Sequence, residues 1–170
     1  GEELAIRYNE EIARYLKKYI PGFENAYFDR VAPFMGIRET RRLVGEYILT
    51  EQDIFDCAKF DDSIAVSAYP VDLHHPVGGD CTLMWCPDCH DIPYRSLLPK
   101  KIDSLIVAGR CISATHLALA SVRVMGPAMA TGEAAGKAAA LSVKNNVQLR
   151  DLDVAALQTA LREEGVYLRD

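Results

Sequence analysis

At 170 residues, with 49% hydrophobic and 25% charged side chains, the chain can bury the core of one domain, or of one domain and part of another. That composition excludes wholesale disorder, and a net charge of −5 excludes a general nucleic-acid binder, although arginines can still form a local anion site. The sequence contains no run of about 18 apolar residues, so no membrane span is expected, and it shows no signal-peptide pattern.

The opening GEELAIRYNEE lacks Met and turns helical at once, as a tag remnant ahead of a start within a longer protein would. Ala5, Tyr8, Ile12, Tyr15, Leu16 and Tyr19 recur at helical spacing, which predicts an amphipathic helix over 2–19, stopped by Pro21-Gly22. Two strands are predicted next, at about 26–33 and 43–49, the second (LVGEYIL) rich in β-formers. Between them stand Arg38, Arg41 and Arg42, three arginines in five positions. Their planar forks suit a carboxylate or phosphate, but a solvated turn with local pairs to Glu39 or Glu46 fits the spacing equally. Thr50 is placed to cap a short helix, with Asp53 at the capping-box position.

A strand is predicted over 64–69, leading into PVDLHHP. Alternation along an extended DLH puts Asp72 and His74 on one side, where the carboxylate can orient the imidazole for proton transfer. Two exposed histidines on a surface loop are the plainer alternative. Residues 76–91 are irregular and hold Cys81, Cys86, Cys89 and His90. These are nominally four zinc ligands, yet neighbours such as Cys89 and His90 seldom reach one metal. Free structural thiols or a redox C-x-x-C are the other readings. The five scattered cysteines suit a reducing compartment, and a cytoplasmic location is expected.

Pro93 and Pro99 bracket an extended connection that holds Tyr94 and Arg95. Leu105 to Ala108 reads as a short buried strand of a parallel sheet, ended by Gly109 and Arg110. A loop over 111–120 carries Ser113, Thr115 and His116. Ser121 is a candidate cap for a long helix over about 122–144, with Pro127 in its first turn. That helix is built from small residues, and Gly132 and Gly136 within it imply a close packing partner. Asn145-Asn146 ends it, and a last amphipathic helix is predicted over 153–164, stopped by Gly165. Strand, loop and helix N-terminus in that order is how α/β proteins offer backbone N–H groups to an anion.

Three blocks carry a family resemblance: GIRETRRLVGEYILT at 36–50, IPYRSLLPKKIDSLIVAGRCISATHLALASVRVM at 92–125, and ATGEAAGKAAAL at 130–141. SAYPVDLHHP at 67–76 adds to them. The chain resembles the C-terminal part of FAD-dependent oxidoreductases of the glutathione-reductase-like superfamily, mostly bacterial. The GxGxxG turn and its downstream acidic residue, which hold the ADP half of FAD, have no counterpart in the sequence. The resemblance therefore implies an excised piece that partners an N-terminal FAD-binding half. Alone it is expected to be inactive and to hold FAD weakly or not at all. It also implies that Gly109 and Arg110 lie near the ribityl or pyrophosphate region. Arg123, Val124, Met125, Gly126 and Ala128 would approach the pyrimidine edge of the flavin. Arg38, Arg41, Asp72, His74, Tyr94 and His116 would face a small-molecule substrate. His74, His75 and His116 are the candidates in principle for a covalent flavin link.

The expected architecture is a mixed α/β piece in three parts. Residues 1–98 form part of a substrate-domain sheet with the N-terminal helix, 99–146 the flavin-contacting strand, loop and helix of a Rossmann-like domain, and 147–170 a helical extension. A cut sheet edge and an uncovered helix face favour self-association. The competing reading is a stand-alone metal-binding or interaction module built on Cys81, Cys86, Cys89 and His90.

Overall fold

The computed structural model describes residues 2–74 and 80–169, which fall into two units, 1–37 and 38–170. In the first unit the helical spacing holds: α1 runs Glu2–Tyr19, and Gly22 follows at φ 96°, a turn that favours glycine. The strand expected over 26–33 does not form, because the unit holds no second strand to complete a ladder. Helix and sheets, expected to pack together, fall in different units.

The second unit contains two antiparallel pairs. Strand β1 (Ser63–Ser67) pairs with β4 (His90–Pro93), with an irregularity between Ser63 and Ala65. Strand β2 (Val71–His74) pairs with β3 (Cys81–Met84) in a separate ribbon, Asp72 opposite Leu83 and His74 opposite Cys81. The strand expected over 43–49 is absent. Its N–H groups go to different places: Leu43 to the Cys111 carbonyl, Glu46 to Leu98, Tyr47 to Arg95 and Leu49 to Ser113. Only isolated bridges result, at Gly45 and Leu49. Gly45 is required there, since a Cβ would sit 2.6 Å from that of Ser113. Leu105 to Ala108 is also extended without a ladder, Val107 donating to the Leu97 carbonyl.

Helix α2 (Glu51–Phe55) starts on the predicted capping box, with Thr50 accepting from the Asp53 N–H and Asp53 accepting from that of Thr50. The helix expected from 122 starts three residues later, and part of the loop expected over 111–120 is itself helical. Helix α3 (His116–Val122) begins on Thr115, and α4 (Met125–Asn145) follows after a break at Arg123 and Val124. Pro127 explains the break: it lacks an N–H, and its ring would clash with the Arg123 carbonyl in a continuous helix. Ser121 is therefore no cap. It is buried in α3, its hydroxyl donating to the Tyr69 carbonyl at 2.6 Å. Asn146 closes α4 in the left-handed conformation, and Asp153 caps α5 (Val154–Glu163).

The core gathers Ile64, Ile92, Leu97, Ile112, Leu119, Leu157 and Leu161 around Ala134 and Ala138 of α4. These alanines let α4 lie close to β1 and α5. The opposite side of α4 is bare. Met125, Met129, Gly132, Gly136, Ala140 and Val143 form an exposed stripe at three- and four-residue spacing. Nothing lies within 4 Å of where a Cβ would stand on Gly132 or Gly136, so the packing partner their presence implied is not within the described residues. No described helix is long and apolar enough to cross a membrane.

Candidate functional site

Strand alternation places Asp72 and His74 on one face of β2, as their spacing predicts. The His74 Nε2 lies 3.2 Å from the Asp72 carboxylate. The register of the ribbon adds a third group from β3: the Cys81 thiol donates to Asp72 Oδ1 at 2.9 Å. That bond, ahead of the one to His74, holds the Asp72 carboxyl below its ordinary range, and the same bond pushes the Cys81 thiol up. The charge of Arg38 opposes the upward push. Arg38 and Arg41 are both exposed.

Glu39 is a second centre. His116, the first residue of α3, points Nδ1 at its carboxylate, 2.8 and 2.9 Å from the two oxygens. Arg42 lies 3.4 Å away and Arg123 3.9 Å away, so three potential cations surround one carboxylate. Arg123 joins the two centres. Its Nη2 donates to the Asp72 carbonyl at 2.8 Å, from a position one residue before the N-cap of α4. Glu39 and Arg42 were legible only as local pairing partners, because nothing in their spacing shows that His116 and Arg123 arrive from 77 and 84 positions away (116 − 39; 123 − 39).

The start of α4 is open. Val124 is the N-cap and makes no side-chain cap bond. Pro127 has no N–H and that of Ala128 goes to the Val124 carbonyl, which leaves Met125 and Gly126 as first-turn donors. Gly126 has no atom within 4 Å of its Cβ position, and Met125 is 83% exposed. A groove of about 580 Å³ runs from this point along Val124, Tyr69, Pro70, Leu83 and Trp85. It therefore borders both the helix start and the ribbon that carries Asp72. Gly109 adopts φ 70°, which favours glycine, and its N–H donates to Thr131 Oγ1 at 3.0 Å, against the second turn of α4. Arg110 beside it is exposed.

Tyr94 does not join this group. It is 2% exposed, its hydroxyl donates to the Leu149 carbonyl at 2.9 Å, and burial pushes its pKa up to about 12. The cysteine-rich segment also divides. Cys81 faces Asp72, while His90 is fully buried on β4 with neither ring nitrogen hydrogen-bonded. Burial, then the charge of Arg169, brings the His90 pKa down to about 4. Cys86 is half-buried near the Tyr69 carbonyl, Cys89 is half-buried, and both remain free thiols. His75 lies outside the described residues.

An oriented imidazole, an apolar groove and an open helix start thus adjoin one another along β2, β3 and α4. A family model described as FAD dependent oxidoreductase matches residues 2–161. No curated protein and no solved structure matches the chain.

Proposed function

The chain belongs to the FAD dependent oxidoreductase family, and from that premise we propose that it supplies the flavin-ring and ribityl side of an FAD site together with part of the substrate site. When bound, FAD supplies the hydride acceptor. The residues present suit it. The N–H groups of Met125 and Gly126, at the positive end of the α4 dipole, would hold the pyrimidine edge of the flavin and stabilise its negative charge. The bare Cβ position of Gly126 and the small Ala128 give a planar ring close access to the backbone. Gly109 and Arg110 lie toward the ribityl and pyrophosphate end, where Thr131 holds the Gly109 backbone.

His74 is the proton-handling group. Asp72 engages Nε2, so Nδ1 is the ring nitrogen that takes or gives the substrate proton. Arg38 and Arg41 clamp an anionic group of the substrate, and His116 borders the same region through Glu39. Arg123 couples the two functions, because one side chain ties the start of α4 to the Asp72 backbone. That 2.8 Å bond is the observation that carries the proposal. The glycine-rich turn for the ADP half is absent from the sequence, and a Rossmann-like half that holds it packs on the bare stripe of α4.

Gly126→Val tests the cofactor side. In the FAD-loaded protein it is expected to weaken FAD binding by about tenfold or more, the equivalent of one lost backbone bond, read from flavin fluorescence. Unchanged affinity would remove the α4 start from the site. His74→Ala and Arg38→Ala test the substrate side: both should slow flavin reduction without lowering FAD content. Wild-type rates in both would take these residues out of the mechanism.

A further inference from the structure

We propose that Asp72, His74 and Cys81 form a binding site for a soft divalent cation of the zinc type on one face of the β2–β3 ribbon. The backbone builds it. Asp72 and His74 are two residues apart on β2 and so share a face, and Cys81 stands directly opposite His74 across the antiparallel pair. One ligand atom from each lies within 4.8 Å of the other two. Tetrahedral zinc sets its ligand atoms about 3.3–3.7 Å apart. Here the imidazole–carboxylate separation is 3.2 Å and the thiol–carboxylate separation is 2.9 Å. Small side-chain adjustments that widen these two separations and bring all three atoms to a common distance admit the ion.

The donor chemistry is matched as well. Imidazole nitrogen, thiolate sulfur and carboxylate oxygen are the three ligand types of zinc, and the set carries two negative charges once the thiol is ionised. The exchange balances: the cation takes the place of the Cys81 proton now shared with Asp72, and that proton leaves to solvent. His74 and Cys81 are exposed, so water completes the coordination, as in zinc sites with an open position. The site replaces the set that the sequence spacing offered. It takes Cys81 and leaves Cys86, Cys89 and His90 out. It rests on the ribbon alone and is independent of the FAD contacts at the start of α4, while an ion bound there takes the Asp72–His74 pair out of proton transfer.

Cobalt(II), a spectroscopic stand-in for zinc, gives the test. Titration of the reduced protein is expected to raise a thiolate-to-cobalt charge-transfer band that saturates at one ion per chain and is displaced by zinc. Cys81→Ser should abolish the band, and His74→Ala and Asp72→Asn should each weaken cobalt binding by at least about tenfold, no less than the loss of an outer-shell partner. The double variant Cys86→Ser/Cys89→Ser should leave it unchanged. Circular dichroism checks that each variant keeps its fold. No band in the wild type, or a band that survives Cys81→Ser, overturns the proposal.

Discussion

Arg169 and Arg123 are each 10% exposed in their side chains and each lies beside a carboxylate, yet they do opposite things. Arg169 is closed. Its Nε donates to Asp91 at 2.7 Å, its Nη1 to the Cys89 carbonyl at 2.8 Å, and its Nη2 to the carbonyls of Cys57 and Ala58. The partner Asp91 is only 3% exposed. This guanidinium ties the C-terminal segment to β4 and to the turn after α2. Arg123 is open. Among the described residues it donates to one carbonyl, and its distance to Glu39 is that of an ion pair, not of a hydrogen bond. Glu39 in turn faces His116, which is 61% exposed. Burial alone therefore does not separate a structural arginine from a functional one. Saturation of its donors by the protein does, because only an unsaturated network has capacity left for a ligand.

The sharpest way to break this comparison is Arg169→Ala. It leaves the Asp91 carboxylate buried without its cationic partner and takes a donor from the carbonyls of Cys57, Ala58 and Cys89, and should cost about 3–5 kcal/mol. Urea denaturation measures it, and a loss under about 1 kcal/mol would show that the closed network does not hold the fold.

His90 is next, buried beside that network. Its folded pKa of about 4 lies below the ordinary 6.5. Between those values the unfolded chain binds a proton that the folded chain refuses, so stability falls as pH drops from about 6.5 to about 4 and levels off below. The full contribution is about 3 kcal/mol. Denaturation midpoints across that window should fall more steeply for wild type than for His90→Met, and equal slopes would contradict the assignment.

The smallest effect belongs to the open network. Glu39→Gln removes a carboxylate whose partner His116 is mostly solvated, so stability should change by less than about 1 kcal/mol. A loss as large as that of Arg169→Ala would erase the distinction between the two networks.

Much of the local structure is legible without coordinates. The capping box at Thr50 and Asp53, the shared face of Asp72 and His74, the left-handed stop at Asn146 and the place of Pro127 in a first helical turn all depend on neighbours within a few positions. Helix α3 was missed because Ser113, Thr115 and His116 read as a polar loop, although Thr115 is its cap. The segment 43–49 misled for a different reason. Its residues are good β-formers, yet a strand needs one partner along its length, and this segment meets residues 111, 98, 95 and 113 in turn.

The sequence by itself determined α1, α2, α5 and most of α4, the Thr50 capping box, the shared face of Asp72 and His74 and the family blocks, because periodicity, capping and motif spacing are all short-range. Tertiary structure alone decided which charges meet. It set Glu39 among His116, Arg42 and Arg123, brought Cys81, upstream of the C-x-x-C, against Asp72 through a strand register, and sent the Tyr94 hydroxyl to Leu149. Any glutamate can pair with any arginine on spacing alone. Only the packed chain brings one particular pair together, and only its burial decides whether a donor is used up by the protein or left for a ligand.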